Sequence, residues 1–274
     1  MPDLLINQNL DMQERGLHYG DGLFETLLKL NGEIPLWGGH YDRLQRGCNK
    51  LQIPVPGESW LFENIASETA GQDSIIVKVI VTRGGGGRGL SLPQHKQVSV
   101  FVLQYPFKAI DDNELEMDVS ICQTRLPINP NLAGIKHLNR LDYVLAAIEL
   151  EAKGGKDEAI LCDMDGYLVE GIISNLFFNL HGEIYTPGLE LAGVAGIMRQ
   201  QILNYLQDQG IAVHIGRYYP DLLLQCSECF LCNSVHRVRP VRAIDDTRFA
   251  TGPITQMLIQ VFNLNRNTVS DPAG

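Results

Sequence analysis

Lys136 stands in a stretch of apolar and helix-initiating residues, Asn129-Pro-Asn-Leu-Ala-Gly-Ile-Lys-His-Leu-Asn-Arg140. Ile135 and Leu138 flank its amine with hydrocarbon, and the spacing of residues 138–153 predicts a helix that begins just after it. Burial disfavours the ammonium form, so a lysine held there should have a lowered pKa, as Schiff-base and proton-transferring lysines require. The alternative is a lysine that extends its charge to solvent from a helix start.

A second set of polar residues falls at the ends of predicted elements and is of the kind that binds an anionic cofactor. Arg43 lies on a predicted helix, Ser234 follows a strand, and another helix begins at Gly196-Ile197. A guanidinium, a hydroxyl and the N–H groups of a helix start can together bind a phosphate. Glu170, at a strand end, could pair with a cationic ring nitrogen. Each residue also has a plainer interpretation as a surface charge or turn residue.

The glycine run Gly84-Gly-Gly-Gly-Gly-Arg-Gly follows a predicted strand. It formally matches a dinucleotide-binding pattern, but it leads into another strand and not into the helix that this pattern needs. We interpret it as a loop, in which Arg88 could bind a carboxylate at two points. A flexible surface hairpin is the alternative.

Three cysteines, Cys226, Cys229 and Cys232, stand near His236 with spacing that a zinc or iron-sulfur site could use. A second pair with metal-site spacing is missing, so we predict no metal site and place Cys229 and Cys232 in a half-buried strand. A non-catalytic metal-binding protein remains the alternative from a different functional class. The signatures of serine hydrolases and zinc proteases are also missing.

The composition indicates a globular enzyme-sized chain: 274 residues, 45% hydrophobic, with a formal net charge of -10. That charge argues against sequence-independent nucleic-acid binding, and a small-molecule partner is expected. The sequence shows neither a secretory leader nor an apolar run as long as a membrane span. We therefore expect a cytoplasmic protein without membrane association, whose six cysteines remain reduced thiols.

The order of predicted elements indicates an α/β fold in two halves. Asn31-Gly32 predicts a hairpin that pairs residues 23–30 with 33–37. Two prolines in residues 124–130 suggest an interdomain linker, between a smaller domain at 1–123 and a larger one at 131–274 that carries Lys136. The other predicted strands are 4–6, 74–82, 97–104, 116–123, 158–162, 167–170, 175–180, 183–186, 211–215, 229–232 and 238–244, and the helices are 40–51, 60–69, 138–153, 196–206 and 254–262.

Taken together, these motifs resemble those of the fold type IV pyridoxal-phosphate enzymes, which include branched-chain and D-amino-acid aminotransferases and 4-amino-4-deoxychorismate lyase. The resemblance covers nearly the whole chain. It rests on His18–Thr26, His40-x-x-Arg43-Leu, Lys78 with Arg83–Gly89, Gly134–Arg140, Glu170–Phe177 and Gly196–Arg199. The lysine and phosphate motifs, Leu132–Arg140 and Gly193–Arg199, are most similar to the lyase versions. Thr26 stands where branched-chain aminotransferases carry glycine.

The resemblance implies a two-domain, D-amino-acid aminotransferase-like fold and pyridoxal 5′-phosphate (PLP) as cofactor. Lys136 would bind PLP covalently, Glu170 would pair with its ring nitrogen, and the remaining cofactor residues would be Arg43, Asn175, Gly196, Ile197 and Ser234. Arg88, Lys78 and Thr26 would contact the substrate, with Thr26 assisting proton transfer.

The implied reaction converts 4-amino-4-deoxychorismate to 4-aminobenzoate and pyruvate, a step of folate synthesis, by removal of the C4 proton and elimination. The implied assembly is a homodimer. An aminotransferase of the same family, acting on D-amino or branched-chain amino acids, is the alternative, because it would share every cofactor residue.

Overall fold

The computed structural model describes residues 3–6, 10–94, 97–111, 114–154 and 156–264. The chain divides into two compact units. Among the described residues, unit 1 comprises those up to Lys108 together with Ile135–Asn139, and unit 2 comprises Ala109–Gly134 and those from Arg140 onward.

Unit 1 contains a four-stranded sheet of order β1-β4-β3-β2. Its elements in chain order are β1 (Asp3–Ile6), α1 (Arg15–Tyr19), β2 (Gly22–Lys29), α2 (Trp37–Leu51), α3 (Glu58–Glu68), β3 (Ile75–Thr82) and β4 (Gln97–Pro106). β1 is parallel to β4, and the other neighbours are antiparallel. Val77, Val79 and Val81 of β3 are all buried, because alternate side chains of a strand point to the same face.

The predicted hairpin at Asn31-Gly32 was only partly right. Both residues adopt positive φ, 51° and 82°, as a tight turn requires. The two arms are joined by a single bridge between Leu30 and Glu33, and β2 pairs along its length with β3 instead. Pro35 has no N–H with which to extend a ladder, and α2 begins two residues later.

Unit 2 contains a nine-stranded sheet of order β10-β9-β8-β11-β12-β5-β6-β7, with β13 paired to β12. Its strands are β5 (Met117–Leu126), β6 (Glu158–Asp163), β7 (Leu168–Gly171), β8 (Asn175–Leu180), β9 (Glu183–Pro187), β10 (Val213–Gly216), β11 (Glu228–Asn233), β12 (Arg237–Ile244) and β13 (Thr247–Arg248). Its helices are α4 (Leu141–Ala152), α5 (Ile197–Asp208) and α6 (Pro253–Ile259), with a 3-10 helix at Pro220–Gln225 and a π-helical turn at Gln260–Leu264.

Apolar clusters cover both faces of this second sheet. β6 contributes Ile160 to one cluster and Leu161 to the other, because successive side chains alternate. The central strand β11 is therefore buried on both faces, with Cys229 and Cys232 exposed by 1% and 2%. The prediction of a half-buried strand there was wrong, since the successive residues Phe230 and Leu231, which point to opposite faces, are exposed by 0% and 1%.

The division into units differs from the predicted boundary at residues 124–130. β5 begins before that segment and pairs with β12 and β6, so it belongs to unit 2. Residues 135–139, which include Lys136, belong to unit 1. The pairing of β5 with β6 and β12 decides the first assignment, and the pairing of residues 136–138 with β2 decides the second. Both pairings join residues that are far apart in the chain.

Within the part of the chain that the structure describes, no helix is both long and apolar enough to cross a membrane. All six cysteines are buried free thiols.

Candidate active site

Lys136 is positioned by backbone pairing with the edge strand of unit 1. The Phe24 N–H donates to the Lys136 carbonyl at 2.9 Å, and the Leu138 N–H donates to the Gly22 carbonyl at 3.0 Å. Leu23 and His137 form an antiparallel bridge between these bonds. The predicted helix at 138–153 therefore begins later, at Leu141, because residues 136–138 extend the sheet.

The Lys136 amine lies over an aromatic ring that a second lysine shares. Its Nζ atom is 4.6 Å from the centroid of the Phe24 ring, and Lys78 Nζ is 4.9 Å from the same centroid. Thr26 lies two residues after Phe24 on the same half-buried face of β2, directly opposite Lys78 on β3. Two predicted site residues, Lys136 and Lys78, thus lie over one ring, and a third, Thr26, is the strand partner of Lys78.

Arg43, predicted to bind the cofactor phosphate, forms a buried ion pair on the other face of β2. Its Nε atom donates to Glu25 Oε1 at 2.8 Å, and its Nη2 atom donates to Glu25 Oε2 at 2.5 Å. His40 Nδ1 lies 2.7 Å from the same carboxylate. Burial opposes ionisation of Glu25, but the charge and hydrogen bonds of Arg43 lower its pKa to about 2.

In unit 2, Glu170 is a buried carboxylate whose two oxygens are both hydrogen-bonded. Tyr143 donates its hydroxyl to Oε1 at 2.5 Å, while the Asn175 amide and the Val194 N–H donate to Oε2 at 3.0 Å each. Burial and the Glu170 charge raise the pKa of Tyr143 above its ordinary value, which keeps the hydroxyl a donor. Glu170 is therefore fixed in orientation by three donors.

Two glycines let the loop before α5 approach this carboxylate. A Cβ at Gly193, where φ is 84°, would lie 2.7 Å from Val169 Cγ1, and a Cβ at Gly196 would lie 1.8 Å from Asn175 Oδ1. Gly196 is the N-cap of α5 and has no side chain with which to cap it. The N–H groups at the start of this 12-residue helix therefore lie beside the Asn175 side chain.

The pairing of β11 with β8 places Ser234 at the same end of the sheet as Asn175. Cys232 of β11 lies opposite Asn175, the first residue of β8. Asn233 then closes a turn, accepting hydrogen bonds from the N–H groups of Val235 and His236 through Oδ1. The structure thus gathers five predicted cofactor residues at one end of unit 2: Glu170, Asn175, Gly196, Ile197 and Ser234.

Replacing Gly196 with alanine is expected to reduce the free energy of unfolding by about 1–3 kcal/mol, because the added methyl group overlaps the Asn175 amide. Chemical denaturation would measure this change. Gly57→Ala is the matched control, since Gly57 is also a helix N-cap with nearly the same φ and ψ, and its Cβ would meet nothing within 4 Å. Equal effects of the two substitutions would contradict the steric explanation.

Arg88 lies in an exposed part of the glycine-rich loop, as the sequence predicted for the run itself. Arg15 donates from Nη1 to the carbonyls of Gly89 and Ser91, which ties this loop to α1.

Sequence reasoning missed the residues that orient the predicted ones. Tyr143 donates a hydrogen bond to Glu170, and Glu25 accepts hydrogen bonds from Arg43. The amines of Lys136 and Lys78 lie over the Phe24 ring. Tyr143 and Phe24 carry no sequence signal of their own. The alternation of side chains along β2 could have identified Glu25, because it places this carboxylate on the face opposite Thr26.

Among the described residues, no group of three or more histidine, cysteine, aspartate or glutamate side chains is arranged to hold a metal ion. Burial raises the pKa of the Cys226 thiol to about 12, and it raises the pKa values of Cys229 and Cys232 as well. These side chains pack as small apolar groups.

The family model described as amino-transferase class IV matches residues 22–244. Over 260 residues the chain is 33% identical to an aminodeoxychorismate lyase of Vibrio harveyi, with 93% of this chain and 96% of that protein covered. It is 26% identical over 271 residues to a D-alanine aminotransferase of Listeria innocua, with 95% and 93% covered.

Among solved structures, a 4-amino-4-deoxychorismate lyase from Pseudomonas aeruginosa matches with a TM-score of 0.88 and 35% identity, covering 96% of this chain and 97% of that one. This match confirms the predicted fold class, a two-domain α/β fold of type IV.

Proposed function

Because the chain belongs to the amino-transferase class IV family, we propose that it is a PLP-dependent lyase of folate biosynthesis. Its reaction converts 4-amino-4-deoxychorismate to 4-aminobenzoate and pyruvate. The observation that carries this proposal is the greater similarity to two lyases, 33% and 35% identical over nearly full length, than to the aminotransferase. Thr26, on the face of β2 that Lys136 contacts, also supports it.

The residues present fit PLP. Binding of this cofactor needs a lysine, an anion for the ring nitrogen and a site for the phosphate. Lys136 supplies the amine, and Glu170 supplies a carboxylate that Tyr143, Asn175 and Val194 hold in place. The uncapped start of α5 at Gly196-Ile197 supplies N–H groups for a phosphate. In the proposal, Ser234 and Arg43 complete the phosphate site.

When bound, PLP would accept the electrons released as the substrate loses its C4 proton. Lys136 Nζ is the base that takes this proton, and its position is defined by its contact with the Phe24 ring, 4.6 Å from the centroid. The Thr26 hydroxyl, next to Lys78 in the sheet, assists proton transfer to the departing enolpyruvyl oxygen. Loss of that oxygen leaves an aromatic ring, which makes the elimination favourable.

Lys78 and Arg88 are proposed to bind the two substrate carboxylates. Lys78 Nζ lies over the same ring as Lys136, so a carboxylate paired with Lys78 would place the substrate near the base. Arg88 lies in a loop that Arg15 ties to α1, so its backbone is held even though its side chain is exposed.

The test is to incubate PLP-loaded protein with 4-amino-4-deoxychorismate and to measure 4-aminobenzoate and pyruvate. Equimolar formation of both products is expected. An aminotransferase is the second candidate, favoured by the similarity to the D-alanine aminotransferase. It would instead convert the cofactor to pyridoxamine phosphate with an amino donor and form neither product, which would overturn the lyase proposal.

The proposal includes a homodimer that uses the exposed face of α4. Four apolar residues on this helix, spaced like one helical stripe, are 49–70% exposed: Leu141, Val144, Leu145 and Ile148. Soluble proteins rarely leave such a stripe uncovered. A second copy of the chain is the partner that the family resemblance implies.

The double substitution Leu145→Glu and Ile148→Glu is expected to convert the dimer to a monomer, because it places two charges in an apolar contact. Sedimentation velocity would measure the change. Leu224→Glu is the control, since Leu224 is as exposed as Ile148, 57% against 58%, but lies in the 3-10 helix. A dimer that survives the double substitution would exclude α4 from the interface.

We further propose that the protein is cytoplasmic. All six cysteines are free thiols, which agrees with a reducing compartment.

A further inference from the structure

Glu158 is a buried carboxyl group that the proposed reaction does not use. It begins β6 and is 4% exposed. Its Oε1 atom accepts a hydrogen bond from the Ile173 N–H at 2.9 Å, and its Oε2 atom accepts one from the Ser174 hydroxyl at 2.9 Å. Both donors belong to the turn between β7 and β8. Glu158 therefore stabilises that turn through two hydrogen bonds.

The turn that Glu158 holds carries two proposed cofactor residues at its ends. Glu170 precedes it and Asn175 follows it, and the Gly171 N–H closes it by donating to the Ser174 carbonyl. The contact with Glu158 is close, because a Cβ at Gly171 would lie 2.3 Å from Glu158 Oε1. A change at Glu158 would therefore move the backbone between Glu170 and Asn175.

Ser174 extends this contact to a second turn. Its Oγ atom accepts a hydrogen bond from Asn233 Nδ2 at 3.1 Å. The other amide atom of Asn233, Oδ1, accepts from the N–H groups of Val235 and His236 and so shapes the turn that contains Ser234. One chain of hydrogen bonds thus links the ring-nitrogen end of the proposed site to its phosphate end.

We propose that Glu158 is a positioning residue, which through Ser174 and Asn233 aligns the Glu170 carboxylate with the turn that carries Ser234. The inference rests on the proposed function, since it concerns the PLP site. It adds a residue that contacts no part of the cofactor and that determines the relative position of two groups that do.

Charge is a secondary feature of this residue. Burial raises the pKa of Glu158 to about 7, against the lowering effect of the Ile173 and Ser174 hydrogen bonds. A glutamine has the shape of the protonated acid, and the Ser174 hydroxyl can accept as well as donate. Glu158→Gln should therefore retain much of the alignment, whereas Glu158→Ala removes both acceptors.

The experiment compares binding of PLP with binding of pyridoxal, which lacks the phosphate, by absorbance titration of each variant. Residues that orient metal ligands change affinity about 10- to 100-fold, and Glu158→Ala is expected to weaken PLP binding in this range. It should weaken pyridoxal binding as well, because Glu170 moves. Asn233→Ala should weaken PLP binding more than pyridoxal binding, because it removes the acceptor that shapes the Ser234 turn, whereas Glu158 still accepts hydrogen bonds from Ile173 and Ser174. Glu158→Gln should bind PLP nearly as wild type does.

Glu228→Ala is the matched control for general loss of stability. Glu228 is 2% exposed in the same unit and accepts hydrogen bonds from Asn179 and Thr255, where it supports the start of α6. Its substitution should lower the melting temperature and leave the Kd for PLP unchanged.

Wild-type affinity for PLP in Glu158→Ala would overturn the inference while the proposed function stands. If that variant does not fold, Ser174→Ala decides the question, because it removes the link and leaves Glu158 in place. Wild-type PLP affinity in Ser174→Ala would then overturn the inference. Failure of the wild-type protein to bind PLP would overturn the proposed function and the inference together.

Discussion

Substitution of Lys136 by alanine is expected to abolish formation of 4-aminobenzoate, lowering kcat by at least about 10³-fold, because it removes both the covalent anchor of the cofactor and the base. The fold should survive. Unit 1 holds this residue through backbone hydrogen bonds with β2, which alanine preserves. The lost contact with the Phe24 ring is worth about 0.5–1 kcal/mol at a partly exposed site.

Lys78→Ala is the comparison that separates the two lysines over the Phe24 ring. Lys78 is proposed to bind a substrate carboxylate, and a charged hydrogen bond contributes about 1.5–3 kcal/mol. The variant should therefore raise KM by about 10- to 150-fold while it keeps PLP and most of kcat. Steady-state kinetics and the visible spectrum of each variant would measure this. Loss of PLP from Lys78→Ala, with PLP retained by Lys136→Ala, would reverse the assignment.

Glu170→Gln is expected to have the second largest effect on activity. Glutamine keeps an acceptor for Asn175 and the Val194 N–H, and the Tyr143 hydroxyl can accept from its amide, so the unit should remain folded. What it removes is the negative charge that would pair with the cofactor ring nitrogen. A hydrogen bond between charged groups is worth about 1.5–3 kcal/mol, so kcat should fall by about 10- to 150-fold.

Glu149→Gln is the control for this substitution. Glu149 is also a carboxylate in unit 2, and it accepts hydrogen bonds from the N–H groups of Gln123 and Thr124. Burial raises its pKa, but the hydrogen bonds outweigh this effect and lower the pKa to about 2. It has no proposed contact with the cofactor, so its kcat should match that of wild type. Equal kcat in Glu170→Gln and wild type would exclude Glu170 as the ring-nitrogen partner.

Glu170→Ala would separate structure from catalysis. This variant leaves buried donors on Asn175 and Val194 without their acceptor, and each such donor costs about 1–3 kcal/mol. We expect both a lower free energy of unfolding and the loss of activity, whereas Glu170→Gln should lose activity alone. Denaturant titration of the two variants would show the difference.

Local sequence determined most of the strands and helices and the identity of the candidate residues. The predicted strands 175–180 and 183–186 formed as β8 and β9, which pair through a turn where His181 and Gly182 adopt positive φ, 55° and 88°. The helix after Gly196 formed where its spacing predicted it. Lys136, Glu170 and the Gly196 helix start could be chosen because their residue types and their places at element ends already limit the chemistry available to them.

Tertiary structure alone decided which of these residues meet and what orients them. β2 pairs with β3 and with residues 136–138, so the predicted helix starts late and Lys136 lies over Phe24. The Arg43 guanidinium lies against Glu25, and the Glu170 carboxylate accepts from Tyr143. The physical reason is that strand pairing and side-chain hydrogen bonds join residues far apart in the chain. Periodicity reports only which face of its own element a residue occupies.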